Sequence, residues 1–152
     1  MVAPNTTLEP VKAMAVNLQF TRGRHGAAAR IELHDRPTGR VAVLALRGWI
    51  DQSAESRIEQ TLEDLAARGA SQLLVDCSQL RHIDYRLVPR LVQALARFEL
   101  RSGAFVLCGL SRYLRDLFRL TGCESQLRCW PSATELLETT RSEIGPANEC
   151  AS

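Results

Sequence analysis

Ala29, Ile31 and Leu33 alternate with Arg30, Glu32 and His34, the period-two pattern of a strand with one buried face. Arg36, Pro37, Thr38 and Gly39 supply turn residues, and Val41–Leu46 follows as six apolar residues in a row. The two runs predict a hairpin whose second strand is buried on both faces. Ala54, Ile58, Leu62, Leu65 and Ala66 recur at helical spacing between Ser53, a capping residue, and Gly69, a stop. Leu73–Cys77 predicts the next strand. Leu87, Val88, Leu91, Val92, Leu95 and Phe98 mark a helix ending before Gly103, and Ala104–Cys108 is another apolar strand. Ser111 caps a helix that turns Leu114, Leu117 and Phe118 inward and stops at Gly122. Leu127–Trp130 is a short last strand, and Ser132 with Glu135 forms a capping box for a final helix.

The order is β-β-α-β-α-β-α-β-α, which predicts a single α/β domain: an N-terminal hairpin followed by alternating helices and mostly parallel strands. Residues 1–27 mix Pro, Thr, Asn and Gly without a sustained period. They are read as a flexible tail that folding can do without. The domain is assigned to residues 28–144, and residues 145–152 to a second flexible tail.

Composition narrows the function. The longest apolar run is far short of the roughly 20 residues a membrane helix needs, and the amino terminus lacks the apolar core of a secretory signal. No membrane insertion and a cytoplasmic location are expected. The five cysteines form no CxxC pair, so free thiols are expected. Net charge is +2 and only 5% of residues are aromatic, which argues against a nucleic-acid partner. Charge is nonetheless polarised. Residues 51–64 carry five acids and one base, whereas residues 81–119 carry eight arginines against three acids. Arg86, Arg90, Arg97 and Arg101 share one helical face with Gln93, which is either a solvated face or a surface for an acidic partner.

No catalytic constellation accompanies this pattern. Neither GxGxxG nor GxxxxGK[ST] occurs, and Asp51, Asp76 and Asp84 near strand ends lack the lysine that a phosphoacceptor site wants, since Lys12 is the sole lysine and lies in the tail. The aspartates are read as caps of loops and helix starts. No set of four Cys and His residues has zinc spacing. His82, near Cys77 and Ser78, has no GxSxG beside it and is read as a surface histidine. The expectation is no enzyme, no metal and no cofactor.

Three segments carry a resemblance. Gly48-Trp49-Ile50-Asp51, Leu73-Leu74-Val75-Asp76-Cys77-Ser78 and Leu80-Arg81-His82-Ile83-Asp84 resemble, in order, the G-x-[LI]-D, D-L-S and pre-D-S-[ST]-G stretches of the STAS domain, shared by bacterial anti-sigma-factor antagonists and sulphate-transporter tails. The resemblance spans about residues 29–140. It implies a STAS-like fold and a non-catalytic bacterial signalling module in transcription regulation, which binds an anti-sigma factor or serine-kinase-like protein through the loop and helix after Asp84. It marks Asp51, Asp84, Tyr85, Arg86 and Arg90 as partner-facing. In the family a hydroxyl in this loop is phosphorylated. Here Tyr85, Arg86 and Leu87 follow Asp84, so Arg86 occupies a degenerate phosphosite. The alternative that the resemblance implies is an accessory subunit of a phospholipid-transport ABC ATPase.

Overall fold

The structure, a computed structural model, describes residues 12–126 and 129–130. The expected final helix from Ser132 and the tail 145–152 lie outside the described residues. Six strands form one sheet in sequence order: β1 (Lys12–Gln19), β2 (Ala28–Arg36), β3 (Gly39–Ile50), β4 (Ala70–Ile83), β5 (Phe105–Cys108) and β6 (Cys129–Trp130). β1, β2 and β3 pair antiparallel, and β3 through β6 pair parallel. Helices α1 (Gln52–Ala67), α2 (Val88–Arg101) and α3 (Arg112–Leu120) make the crossovers. Every parallel step runs in the same direction along the sheet, and right-handed crossovers then put the helices on one face. Buried residues of all three helices accordingly share one core cluster with Ile31, Leu44, Leu73 and Leu107.

The hairpin is as the pattern predicts, with Asp35 opposite Arg40 and Ile31 opposite Leu44. Val41–Leu44 is buried throughout. Ala42 and Leu44 belong to the main core, and Val41 and Val43 form a second small cluster with Leu74 on the other face.

Three details correct the sequence reading. Residues 12–27, assigned to a flexible tail, are part of the fold: β1 pairs with β2 from Lys12 to Gln19, and Phe20 and Ala27 are buried in the core. The strand escaped the pattern because Ala15, Val16 and Asn17 are exposed together and only Met14 and Leu18 pack on the core. Second, the cap of α1 is Asp51, not Ser53. Its carboxylate accepts from the Ala54 N–H at 2.9 Å directly after the end of β3. Third, β4 runs to Ile83 rather than Cys77. Its polar continuation is held by β3, which pairs Arg47 with Gln79 and Ile50 with Ile83.

Gly48 explains the first family-like motif. Its φ is +89°, and a Cβ there would run into the Gly26 carbonyl. That close approach, with the Trp49 N–H donating to the His25 carbonyl at 3.2 Å, clamps the loop between β1 and β2 onto β3. Phe20, just before that loop, packs under α1, with the Arg57 guanidinium 5.9 Å from its ring. Phe20→Ala is therefore expected to destabilise the domain by about 3–5 kcal/mol, as for other buried aromatics. Chemical denaturation checks this, and a loss under about 1 kcal/mol would return residues 12–27 to the status of a tail.

Candidate functional site

The carboxyl ends of β3 and β4 meet. The Asp84 N–H donates to the Ile50 carbonyl at 3.1 Å, which brings the start of α1 beside the loop after β4. Past Asp84 the chain makes a 3-10 turn, Tyr85–Leu87, before α2. No non-glycine residue among those described has a positive φ, so the turn forms without the glycine that the family motif carries. Asp84 holds the turn. Its Oδ1 accepts from the Arg86 N–H at 3.0 Å, and the Arg86 guanidinium grips the same carboxylate at 3.1 and 2.7 Å. The guanidinium, then the backbone N–H, hold the Asp84 carboxyl down at about 2. Tyr85 stands beside this fork, 61% exposed, and Leu87 turns inward to the core.

The other marked residues have structural duties. Asp51 caps α1. Arg90 sits against α1, its Nε 3.7 Å from Glu55 and its Nη2 3.6 Å from Glu59, and Arg97 reaches Glu59 at 3.4 Å. The charge polarisation along the chain is thus partly spent between α1 and α2, although Arg90 keeps about half of its side chain in solvent. Glu55 is fully buried, and neither of its oxygens has a hydrogen-bond partner among the described residues. Burial, then the Glu59 carboxylate, push its pKa up to about 7 against the pull of Arg90 and Arg97.

Sequence reasoning passed over a row of rings along this edge. His25 stacks on Trp49 with centroids 4.0 Å apart, Trp49 leans on His82 at 5.0 Å, and His82 lies 5.8 Å from Tyr113. His82 Nδ1 and the Tyr113 hydroxyl are hydrogen-bonded at 2.6 Å. The signal was there in β3: Trp49 alternates with the core residues Leu46 and Ile50 across Gly48, so it falls on the face turned from the helices. Cys77 and Cys108 are free, as expected, and buried. Burial pushes the Cys77 thiol well up and that of Cys108 to about 12, so neither offers a thiolate. Among the described residues no three His, Cys, Asp or Glu side chains gather as a metal site requires, and no helix is long and apolar enough to cross a membrane.

The family model described as the Mlab STAS domain matches residues 33–129, well over half of the chain. The chain belongs to the STAS-domain family. No curated protein sequence matches it. The fold is that of the anti-sigma factor antagonist SpoIIAA in its unphosphorylated form, with TM-score 0.59 and 20% identity over 76% of this chain and 99% of that one. An anti-sigma factor antagonist from Mycobacterium paratuberculosis aligns at TM-score 0.61 and 19% identity over 78% and 97%. The murine anion transporter Slc26a9 aligns at TM-score 0.56 and 11% identity, over 92% of this chain and 24% of the transporter.

Two titrations test this site. A folded-state pKa of Glu55 near 7 lies above its ordinary 4.5, so the folded domain keeps a proton that the unfolded chain has lost. That contribution to stability is present at low pH and lost as pH rises through this window. Glu55→Gln should raise Tm by a few degrees at pH 8 and leave it unchanged near pH 4, read by thermal melts. At the loop, Arg86→Ala should raise the Asp84 pKa from about 2 part of the way toward the ordinary 3.8, since the N–H of residue 86 still donates to the carboxylate, read by NMR of its carboxyl. An unshifted midpoint would show that the guanidinium does not hold it.

Proposed function

We propose that this STAS domain is a non-catalytic cytoplasmic regulator that docks a protein partner of the anti-sigma-factor, serine-kinase-like class through the Asp84 loop and the first turns of α2, without a serine switch. The observation that carries the reading is the Asp84–Arg86 fork with Tyr85 exposed beside it. It sets a hydrogen-bonded charged pair and an open aromatic ring at the position where the family motif has its hydroxyl. Tyrosine and arginine dominate interface hot spots because each offers a large contact area at low entropic cost. Asp51 shapes the neighbouring helix start, and the solvent-facing part of Arg90 extends the surface along α2.

The motif and the fold likeness support docking, and the fork argues against the switch. A phosphorylatable serine works by adding negative charge to an interface, whereas Arg86 brings positive charge that Asp84 already neutralises. The Tyr85 hydroxyl lies several ångströms farther from the backbone than a serine oxygen, which spoils in-line geometry for a serine kinase. A second reading, accessory subunit of a phospholipid-transport ABC ATPase, draws on the fold likeness to about a quarter of an anion transporter and on the same missing hydroxyl. The partner co-purified with the tagged protein from its own cell separates the two: an ATP-binding anti-sigma factor supports the first, a transport ATPase the second.

Incubated with its kinase-like partner and ATP, the wild-type protein should gain no phosphate between Cys77 and Leu91, and Arg86→Ser should gain one, both read by mass spectrometry. Arg86→Ser alone is preferable to a variant that also replaces Leu87 by glycine, because Leu87 is buried. Phosphate on wild-type Tyr85 or Ser78 would refute the lost switch, and an unmodified Arg86→Ser would show that the loop does not enter the kinase site.

A further inference from the structure

A second surface lies on the sheet face turned away from the helices. Arg47 and Trp49 project there from β3, Gln79 from β4 beside Arg47, and the clamped loop after β1 adds Arg24 and His25. With Arg81 they border an open cleft of about 670 Å³ that no Asp or Glu among the described residues lines. Among the described residues Arg24, Arg47 and Arg81 are exposed and none has a carboxylate within salt-bridge distance, in contrast to Arg86, Arg90, Arg97 and Arg119, each paired with an acid. Among the described residues, three guanidinium groups without an acid partner and a tryptophan 42% exposed make a surface of one sign around an aromatic anchor.

We infer that this cleft binds an acidic segment of a partner protein, independently of the Asp84 loop. The loop that carries Arg24 is fixed in advance: the Ala27 N–H donates to Thr21 Oγ1 at 2.7 Å, the Gly26 N–H to the Gly23 carbonyl at 3.1 Å, and Gly48 admits it against β3. Little ordering cost falls on binding. The arginines are distributed over a loop and two strands rather than drawn around one point, which suits carboxylates spaced along a chain better than a single phosphate. The Gln79 amide offers a donor and an acceptor to a peptide backbone. Nucleic acid fits less well. His25 and His82 occupy ring surface of Trp49 on which a base would stack, and the acids of α1 oppose a long polyanion.

The test uses the full-length protein and a fluorescein-labelled peptide of Asp, Glu, Ser and Leu, read by anisotropy, with circular dichroism confirming each variant's fold. The peptide should bind at low salt and weaken as salt rises. Arg47→Glu and Arg81→Glu should each weaken it by about tenfold or more, or about 1.4 kcal/mol, while Arg101→Glu at the end of α2 leaves it unchanged. Equal loss in all three variants would reduce the effect to net charge and overturn the inference. So would tripolyphosphate or oligothymidylate binding more tightly than the peptide, or self-association of the protein abolished by Arg47→Glu, which would assign the cleft to a phosphate ligand, a nucleic acid or a second copy. Tyr85→Ala should leave peptide binding intact, which separates this surface from the Asp84 loop.

Discussion

The parallel pairing of β3 with β4 sets the geometry on which the rest of the molecule depends. It places Ile50 beside Ile83, so that Asp51 and Asp84 emerge as neighbours from the same edge of the sheet, each starting a helical segment. It also sets Trp49 beside His82 on the opposite face. The register shifts between Ala45 and Arg47 and again between Gly48 and Trp49. Such irregularities re-aim side chains near functional edges, and here they let Leu80 and Ile83 both reach the core while Gln79, Arg81 and His82 stay out of it. One ladder therefore serves two surfaces. A slip of one residue would exchange the core residues of β4 for its polar ones.

Packing of the helices makes use of the charge pattern. The acids of α1 and the arginines of α2 belong to helices that cross the sheet in the same direction and lie side by side, so the polarity seen along the chain becomes complementarity across a helix interface. Glu55 is the costly member: a fully buried carboxylate whose nearest cation stands at 3.7 Å is desolvated without a good pair. Its neighbour Glu59 has Arg90 and Arg97 within reach and remains partly exposed.

Most of the fold was legible because its central elements repeat simple periods. The hairpin, the apolar faces of α1 to α3 and the stops at Gly69 and Gly122 follow from spacing alone. β1 was not legible, since an edge strand whose residues 15–17 all face water has no alternation to read, and its assignment to a tail removed His25 and Phe20 from consideration. The far half of β4 was hidden for a related reason: Ser78, Gln79 and Arg81 look like a loop until β3 is seen to pair with them. At the site, the sequence marks Asp84 and Arg86 but not their mutual grip. It marks the arginines of α2 but not the acids that take two of them. Long-range contacts decide both, and no local pattern encodes which arginine finds a carboxylate.

The fork at Asp84 fixes more than a loop shape. A loop regulated by phosphate changes its charge by about two units, and a histidine-based surface changes its charge within the physiological pH range. Asp84 does neither. With its carboxyl held at about 2 by Arg86, the pair stays ionised and nearly neutral in sum throughout the range in which a cell lives. A partner meeting this loop meets an ionised pair whose charges nearly cancel, with Tyr85 presented beside it by the 3-10 turn. Variation in binding then has to come from the partner's own concentration or state, or from the cleft on the other face, where three arginines unpaired among the described residues leave the local charge open to compensation. From the cleft a continuous set of rings runs from His25 through Trp49 and His82 to Tyr113 at the start of α3, while the Asp84 loop leaves the end of β4 that pairs with β3. The invariant surface and the compensable one thus share a single rigid strand pair.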